Sequence, residues 1–187
     1  MIEIIAICGK SSSGKTTLIK ELKSILKLQA NIVKSYTTRE QRTYDPEDIN
    51  SHIFVDEEFY NQNKDKAIAM YDSPKGYHSW IDEESFCNGI NLYAIDPKAV
   101  VTELLPYCKM RNWKLDVFYL NVSDKERKRR YEKREGNLDG YSEESHLNSN
   151  ILEDIDTNCY VVDADTEDIS GLAKCILSLT VKEDVEQ

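Results

Sequence analysis

The sequence lacks the features that mark membrane, secreted and zinc-binding proteins. No apolar run approaches the roughly 20 residues that a membrane-spanning helix requires. The N-terminus has no basic region or small-residue cleavage site, because the chain enters an apolar strand pattern at Ile2. The five cysteines form no C-x-x-C pair and have no histidine at zinc-ligand spacing. We therefore expect a cytoplasmic protein, with no membrane partner, whose cysteines are reduced and mostly structural.

Basic residues are outnumbered in this chain. There are 24 lysines and arginines against 34 aspartates and glutamates, which gives a formal net charge of −10. Such acidity argues against a nucleic-acid partner, and it makes local basic clusters informative. The length of 187 residues suits a single α/β domain. The oligomeric state stays open between a monomer and a homodimer.

One segment has a complete ligand-binding pattern. Residues 9–16 read Gly-Lys-Ser-Ser-Ser-Gly-Lys-Thr, which is the G-x-x-x-x-G-K-[ST] pattern of a phosphate-binding loop. A strand-like run precedes it, and Leu18, Ile19 and Leu22 follow it at helical spacing. In such loops the backbone N–H groups surround a phosphate chain, the lysine reaches the outer phosphates and the final hydroxyl can bind Mg²⁺. We expect ATP and Mg²⁺ to bind here, through Gly9, Lys10, Ser11, Ser12, Ser13, Gly14, Lys15, Thr16 and Thr17.

Strand-like and helical patterns alternate along the chain. We expect strands at 2–8, 31–36, 91–95, 115–122 and 159–163, and helices at 15–28, from Pro97, at 124–134, at 142–156 and at 166–179. Short extended segments near 51–55, 67–71 and 76–80, with a helix from Asp56 to Asn63, indicate a small β-rich insertion. The alternation predicts an α/β P-loop NTPase fold, with a parallel core sheet covered by helices on both faces.

A second motif follows the second predicted strand. Ser35-Tyr36-Thr37-Thr38-Arg39-Glu40-Gln41-Arg42 resembles the S-x-T-T-R-x-x-R loop with which guanylate kinases bind a nucleoside monophosphate (NMP). Later parts of that family's pattern have counterparts in the same order, at His52-Ile53-Phe54-Val55, Glu57-Glu58-Phe59-Tyr60, Tyr77-His78-Ser79 and Arg130-Tyr131-Glu132-Lys133-Arg134. The resemblance implies one P-loop kinase domain over residues 1–187, with a core (1–34, 82–124 and 158–187), an NMP-binding insertion (35–81) and a short lid (125–157).

The resemblance also implies roles for individual residues. Lys15 would act on the transferring phosphoryl group, and Arg39 and Arg42 would grip the acceptor phosphate by bidentate, charge-assisted hydrogen bonds. Arg130 and Arg134 would swing in with the lid as catalytic groups, and closure would expel water. The remaining implied positions are Ser35, His52, Asp72, Tyr77, Ser79 and Asp96 for the NMP, and Asp163 near the donor adenine.

Three departures from the family's pattern bear on the acceptor and on the metal. Ile68 stands where guanylate kinases have the glutamate that accepts hydrogen bonds from guanine, although Asp72 can replace it in another strand register. His52 replaces a tyrosine that contacts the phosphate, and it can keep that contact or simply pack. Asp96 either orients Mg²⁺ through water, together with Thr16, or caps the helix that follows it.

These features predict an ATP-dependent NMP kinase whose acceptor is GMP, dGMP or another nucleotide. One alternative is a catalytically silent module that binds a phosphorylated peptide, and the intact phosphate-binding loop argues against it. Another is a P-loop kinase for a different small phosphorylated metabolite, which leaves the T-T-R-x-x-R segment unexplained. The loop that carries Arg39 and Arg42 can also be an ordinary solvated basic surface.

Overall fold

The chain folds around two β-sheets. The computed structural model describes residues 1–42, 48–73, 76–139, 141, 149–153 and 155–180. The core sheet has five parallel strands in the order β2-β7-β1-β8-β9. Its strands are β1 (Ile2–Cys8), β2 (Ala30–Ile32), β7 (Gly89–Ala94), β8 (Lys114–Asn121) and β9 (Asn158–Asp163). The predicted parallel core sheet is therefore confirmed.

Helices cover the core sheet on both faces. On one face, α1 (Lys15–Leu26) and α7 (Ile169–Thr180) bury Leu18, Leu22 and Ile176 against the strands. The opposite face packs against α4 (Pro97–Ala99) and α5 (Leu105–Arg111), which continue one another through a π-helical stretch at Val100–Leu104. Pro106 is the second residue after this stretch and has no backbone N–H for a regular α-helical bond, which accounts for the wider turn before it.

The predicted strand 31–36 is two strands, and they belong to different sheets. β2 ends at Ile32 in the core sheet, whereas β3 (Ser35–Thr37) lies in a second sheet with the order β4-β3-β6-β5. The other strands of this sheet are β4 (His52–Phe54), β5 (Ala69–Asp72) and β6 (His78–Ile81). β3 pairs in parallel with β4 and antiparallel with β6, so this second sheet is mixed.

The two faces of the second sheet have different chemistry. Because successive side chains of a strand point to opposite faces, Tyr36 and Trp80 share one face. There they pack with Phe59 and Tyr60 of α3 (Glu57–Asn63), a helix whose predicted start is confirmed by the hydrogen bond from the Phe59 N–H to Asp56. The other face carries Ser35, His52, Thr37 and Ser79. This polar face borders a cavity against the core sheet.

The remaining helices show two differences from the sequence prediction. At α6 (Asp124–Glu135), Ser123 caps the helix by accepting a hydrogen bond from the Glu126 N–H. The Ser123 N–H donates to Asp165. Of the predicted helix 142–156, residues 142–148 and 154 lie outside the described part, and Ser149–Leu152 form a 3₁₀ turn. A short helix, α2 (Asp48–Ser51), was not predicted.

Two expectations from composition can be compared with the described residues. No helix there is both long and apolar enough to cross a membrane. All five cysteines are free thiols. Burial raises the pKa of Cys8 and also that of Cys108, the latter to about 12. Both thiols are therefore protonated and unreactive at neutral pH, as expected for structural cysteines.

Candidate active site

The glycine-rich loop joins β1 to α1 at the carboxyl edge of the core sheet. Gly9 has a φ of 146°, and a Cβ atom there would lie 2.8 Å from Ser13 Oγ, so this position requires glycine. Gly14 has a φ of 95° and caps α1, whose N-terminus therefore points into the loop. Lys15 Nζ donates to the carbonyl oxygens of Gly9, at 2.7 Å, and Lys10, at 2.8 Å. The loop thus has the shape that its sequence pattern predicts.

Two arginines of α6 hold the backbone of this loop. Arg127 is buried and donates from Nε to the Ser11 carbonyl at 2.9 Å. Arg130 donates to the Ser13 carbonyl at 3.1 Å and, from its other terminal nitrogen, to the carbonyls of Ala164 and Thr166. In this arrangement Arg130 is bonded to backbone carbonyls, and its expected movement with a lid stays a prediction. Its guanidinium joins the loop to the chain that follows β9.

Two neighbouring cavities open around the loop. The sheet cavity, about 280 Å³, lies between the core sheet and the polar face of the second sheet. The loop cavity, about 500 Å³, lies over the glycine-rich loop and the start of α1. Four residues line both cavities, namely Ser11, Lys15, Arg42 and His52. The cavities therefore meet at the ammonium group of the loop and at the basic segment of the second motif.

The structure brings most of the expected residues to these cavities. The expected residues that line the sheet cavity are Gly9, Ser11, Lys15, Ser35, Arg39, Arg42, His52, Tyr77, Ser79 and Asp96. Those that line the loop cavity are Ser11, Ser12, Ser13, Gly14, Lys15, Thr16, Thr17, Arg42, His52, Arg130 and Arg134. Lys10, Asp72 and Asp163 line neither cavity. Lys10 instead borders a small cavity beside Arg127.

The basic segment of the second motif is organised by one buried acid. Asp48 receives two hydrogen bonds of 2.8 Å from the Arg39 guanidinium, and a third of 2.9 Å from the Arg42 backbone N–H. Arg39 is therefore not a solvated surface arginine, and its bidentate edge is occupied by a carboxylate rather than open to a phosphate. His52 Nδ1 lies 3.5 Å from the same carboxylate.

Burial and charge shift the pKa values of two of these groups. Burial alone would raise the pKa of Asp48, but the hydrogen bonds from Arg39 and Arg42 outweigh it and hold the pKa below its usual value. The pKa of His52 is lowered, first by burial and then by the Arg39 charge, while Asp48 opposes both. The His52 ring is therefore neutral at pH 7 in this arrangement and can accept or donate a hydrogen bond.

Hydroxyl groups form the floor of the sheet cavity. Ser79 Oγ donates to Thr37 Oγ1 at 2.9 Å, and Ser35 Oγ lies 3.5 Å from the Tyr93 hydroxyl. Tyr93 belongs to β7 of the core sheet, and burial raises the pKa of its hydroxyl, which stays protonated. Tyr77 also lines this cavity. These groups can donate and accept hydrogen bonds without adding charge.

The strand β5 changes the expectation about base recognition. Ile68 is buried in the core and does not line the sheet cavity. The residues of this strand that line the cavity are Ala69, Met70 and Tyr71. None of them has a carboxylate that could replace the guanine-binding glutamate of the guanylate kinases. Asp72 does not replace it, because its carboxylate pairs with His78 Nδ1 at 2.6 Å on the face that packs toward α3. Asp72 therefore does not line the sheet cavity in this structure, and its expected NMP-binding role stays an untested prediction.

The remaining acids have local partners. Asp96 caps α4, since its Oδ1 accepts hydrogen bonds from the N–H groups of Lys98, at 2.8 Å, and Ala99. Asp96 also lines the sheet cavity, and both capping bonds use the same oxygen, so the second oxygen takes no part in the cap. Asp163 accepts a hydrogen bond from the Asp165 N–H and lies at the end of β9. No group of three metal-ligating side chains occurs in the ranges that the structure describes.

Arg134 keeps a position at the loop cavity. Its Nε donates to Glu135 at 2.7 Å, and its guanidinium lies 5.5 Å from the centre of the Tyr131 ring. Sequence reasoning did not identify Asp48, Arg127 or Tyr93. The run of basic residues in α6 contained a signal for Arg127, but only the fold shows which of them is buried.

Comparisons with known proteins agree with this architecture. A guanylate kinase from Anaplasma phagocytophilum is similar, with a TM-score of 0.59 and 17% identity over 100% of this chain and 88% of that one. The structure of APE1195 is similar, with a TM-score of 0.51 and 15% identity over 97% of this chain and 96% of that one. At these identities the likeness shows the fold alone. No curated protein matches the chain.

The sequence model of one family covers most of the molecule. The AAA domain family matches residues 5–148, which include the second half of β1, the glycine-rich loop, the second motif and the helix α6. The motifs of the chain resemble those of guanylate kinases, and the family model that it matches is that of the AAA domain, which is a wider group. With its parallel core sheet and phosphate-binding loop, the chain has a P-loop NTPase fold, and it belongs to the AAA domain family.

Proposed function

We propose that the protein is an ATP-dependent nucleoside monophosphate kinase that resembles the guanylate kinases. It would transfer the γ-phosphoryl group of ATP to GMP, dGMP or another nucleoside or deoxynucleoside monophosphate. The observation that supports this proposal is the border between the two cavities, where Ser11, Lys15, Arg42 and His52 line both. A triphosphate in the loop cavity and a phosphorylated acceptor in the sheet cavity would meet at this border.

The proposed reaction depends on positioning and on neutralising charge. Phosphoryl transfer requires little covalent help from a protein, because charge spreads over the oxygens of the transferring group. Lys15 would leave the Gly9 and Lys10 carbonyls and contact the outer phosphates. Arg42 would stabilise the acceptor phosphate from the other side of the border. Arg134, at the loop cavity, can approach the donor phosphates.

The donor set of this site fits Mg²⁺ bound together with ATP. Magnesium prefers oxygen ligands and keeps several waters, so a hydroxyl and one carboxylate suffice beside phosphate oxygens. Thr16 offers the hydroxyl, and Asp96 offers the oxygen that does not cap α4. When bound, the ion would neutralise charge on the donor phosphates. Thr16 and Asp96 would hold and orient it.

The shape of the sheet cavity suits a nucleotide acceptor. His52 on β4 and Tyr71 on β5 belong to the outer strands of a four-stranded sheet, and these strands lie about 14 Å apart across three strand spacings. That span accommodates a phosphate, a sugar and a base. Among the lining residues that the structure describes, Asp96 is the only carboxylate, so guanine has few acceptors for its N–H groups.

The test is an ADP-release assay with ATP, Mg²⁺ and a panel of nucleoside and deoxynucleoside monophosphates. We expect at least one acceptor to raise ADP production above the rate with water alone. If none does, the kinase proposal fails. Binding of a phosphorylated peptide without turnover would then favour the silent module. Turnover with a phosphorylated sugar but with no nucleotide would favour a kinase for another metabolite.

Two substitutions separate the donor and acceptor roles. Lys15→Ala should lower kcat by about 10²-fold or more, because it removes a cation from the charge that forms during transfer. Arg42→Ala should raise the KM of the acceptor about tenfold to hundredfold while the KM of ATP stays unchanged. Arg111→Ala is the matched control, since this exposed arginine pairs with Glu83 outside both cavities. Equal effects of the two site variants on acceptor KM would contradict these roles.

A further inference from the structure

Asp48 is the most deeply buried acid near the two cavities. Only 2% of its side chain is exposed. Its two oxygens receive the paired hydrogen bonds of the Arg39 guanidinium, and one of them also receives the Arg42 backbone N–H. The same carboxylate faces His52 Nδ1 at 3.5 Å. One buried group therefore contacts all three residues expected at the acceptor phosphate.

These contacts fix the orientation of Arg39. Besides its two bonds to Asp48, the guanidinium donates to the Glu40 carbonyl at 2.9 Å and lies 5.3 Å from the centre of the Phe54 ring. Arg39 borders the sheet cavity, whereas Asp48 borders the loop cavity. The carboxylate therefore holds the arginine from outside the space that an acceptor would occupy.

The negative charge of Asp48 has an electrostatic role beside Arg39. The Arg39 guanidinium is largely buried, so its charge needs a partner, and the Asp48 carboxylate supplies one through two hydrogen bonds. The Arg42 backbone N–H bonds to the same carboxylate, which fixes this segment of the chain before a ligand arrives. Asp48 does not line the sheet cavity, so its negative charge is kept out of direct contact with an acceptor phosphate there.

We propose that Asp48 is a positioning residue of the acceptor phosphate site, which it prepares by holding the Arg39 guanidinium and the Arg42 backbone N–H in one geometry beside the His52 ring. This inference rests on the proposed function, since it concerns the phosphate of the same acceptor. The buried acid would form the site before the substrate binds, and it would act through the arginines without touching the substrate.

The kinetic test compares Asp48→Asn and Asp48→Glu with the wild-type chain, using the monophosphate of highest kcat/KM in the panel. Asp48→Asn keeps the volume but loses the charge and one acceptor edge. We expect the acceptor KM to rise about tenfold to hundredfold, with the KM of ATP unchanged and kcat at saturation within about threefold. Asp48→Glu restores the charge and should recover part of the affinity.

Asp116→Asn is the matched control. Asp116 is also a buried acid, but it lies on β8 and accepts a hydrogen bond from Asn158, away from both cavities. This variant should leave both KM values unchanged. An unchanged acceptor KM in Asp48→Asn would overturn the inference, as would a change confined to the KM of ATP. If the wild-type protein shows no turnover with any acceptor, the proposed function is overturned instead.

A second readout does not depend on turnover. The chain has three histidines, and the His52 ring can be assigned in NMR spectra by its loss in His52→Gln. The charged groups facing this ring are Asp48, Arg39 and Arg42. We expect the titration midpoint of His52 to fall in Asp48→Asn, and inorganic phosphate to raise it in the wild type more than in the variant. Equal midpoints in the two proteins would contradict the proposed arrangement.

Discussion

Two arginines of α6 hold the carboxylate of Glu126 between them. Arg129 donates to both oxygens at 2.7 Å, and Arg130 donates to one of them at 2.7 Å. The hydrogen bonds of these arginines lower the pKa of Glu126 to about 2. A carboxyl group whose pKa is depressed in the folded state contributes stability above its unfolded value, and this contribution is lost as the pH falls through the folded value.

Acid should therefore weaken this cluster in a defined range. The usual pKa of a glutamate is 4.5, so the stability from Glu126 should decline between about pH 4.5 and about pH 2. We expect Glu126→Gln to unfold at a lower temperature than the wild type at pH 7, with the difference shrinking in that range. Thermal unfolding followed by circular dichroism at several pH values measures it. Glu132→Gln, an exposed position of the same helix, is the control and should show no such convergence.

Individual site residues could be predicted where a short motif contains them. The loop from Gly9 to Thr16 is continuous in sequence, so its pattern alone identifies it. The pairing of Arg39 with Asp48 could not be predicted, because it crosses a segment without helical or strand periodicity. Arg130 has the residue type that a lid requires, yet its environment makes it a bridge between backbone carbonyls. In these cases the residue type showed that a side chain is charged, and the fold determined which group it bonds to.

At the scale of elements, the start of α4 combines two possible roles in Asp96. Its Oδ1 caps the helix, and the residue borders the sheet cavity. Asn is as good an N-cap as Asp, whereas Ala is much poorer. We expect Asp96→Ala to lower the free energy of unfolding by about 1 kcal/mol, and Asp96→Asn to change it by only a few tenths. Urea unfolding of both variants measures this difference.

The same pair of variants isolates any role of the Asp96 charge in catalysis. Asp96→Asn keeps the helix start but removes the carboxylate. If Asp96 orients Mg²⁺, we expect Asp96→Asn to reduce kcat and to require more Mg²⁺ for half-maximal rate, although it remains folded. Full activity of Asp96→Asn at ordinary Mg²⁺ concentrations would leave capping as the function of this residue.

Elements with strong periodicity were predictable, and their partners were not. β1, α1 and β8 agree with the apolar patterns of the sequence. The run 31–36 has the composition of one strand, but the chain leaves the core sheet after β2, and β3 pairs elsewhere. Hydrogen-bond partners in a sheet are set by tertiary contacts, which a single run of residues does not contain.

For the whole molecule, α1 links the candidate site to the core. It begins at the glycine-rich loop and buries Leu18, Ile19 and Leu22 on the side that packs with α7. Leu22 is 0% exposed, whereas Leu28, just beyond the helix, is 99% exposed. The two side chains are chemically identical but differ in burial, so they can be compared by mutation.

Truncating the two leucines should have unequal effects. We expect Leu22→Ala to lower the free energy of unfolding by about 2 to 5 kcal/mol, because it removes buried methyl groups and leaves a cavity. Leu28→Ala should change it by less than about 0.5 kcal/mol. Chemical denaturation by urea measures both values. Similar losses in the two variants would mean that α1 is not anchored through its apolar stripe.

The separation of β2 from β3 also constrains how the chain can vary in length. Val33 still bonds to Leu92 of the core sheet, and Ser35 already pairs in the second sheet, so Lys34 alone connects the two. If one residue gained or lost there shifted β3 by one position against β4 and β6, the two faces of β3 would exchange. Tyr36 would then enter the sheet cavity, and Ser35 would turn into the aromatic cluster. We expect related chains to tolerate substitution at Lys34 far better than insertion or deletion.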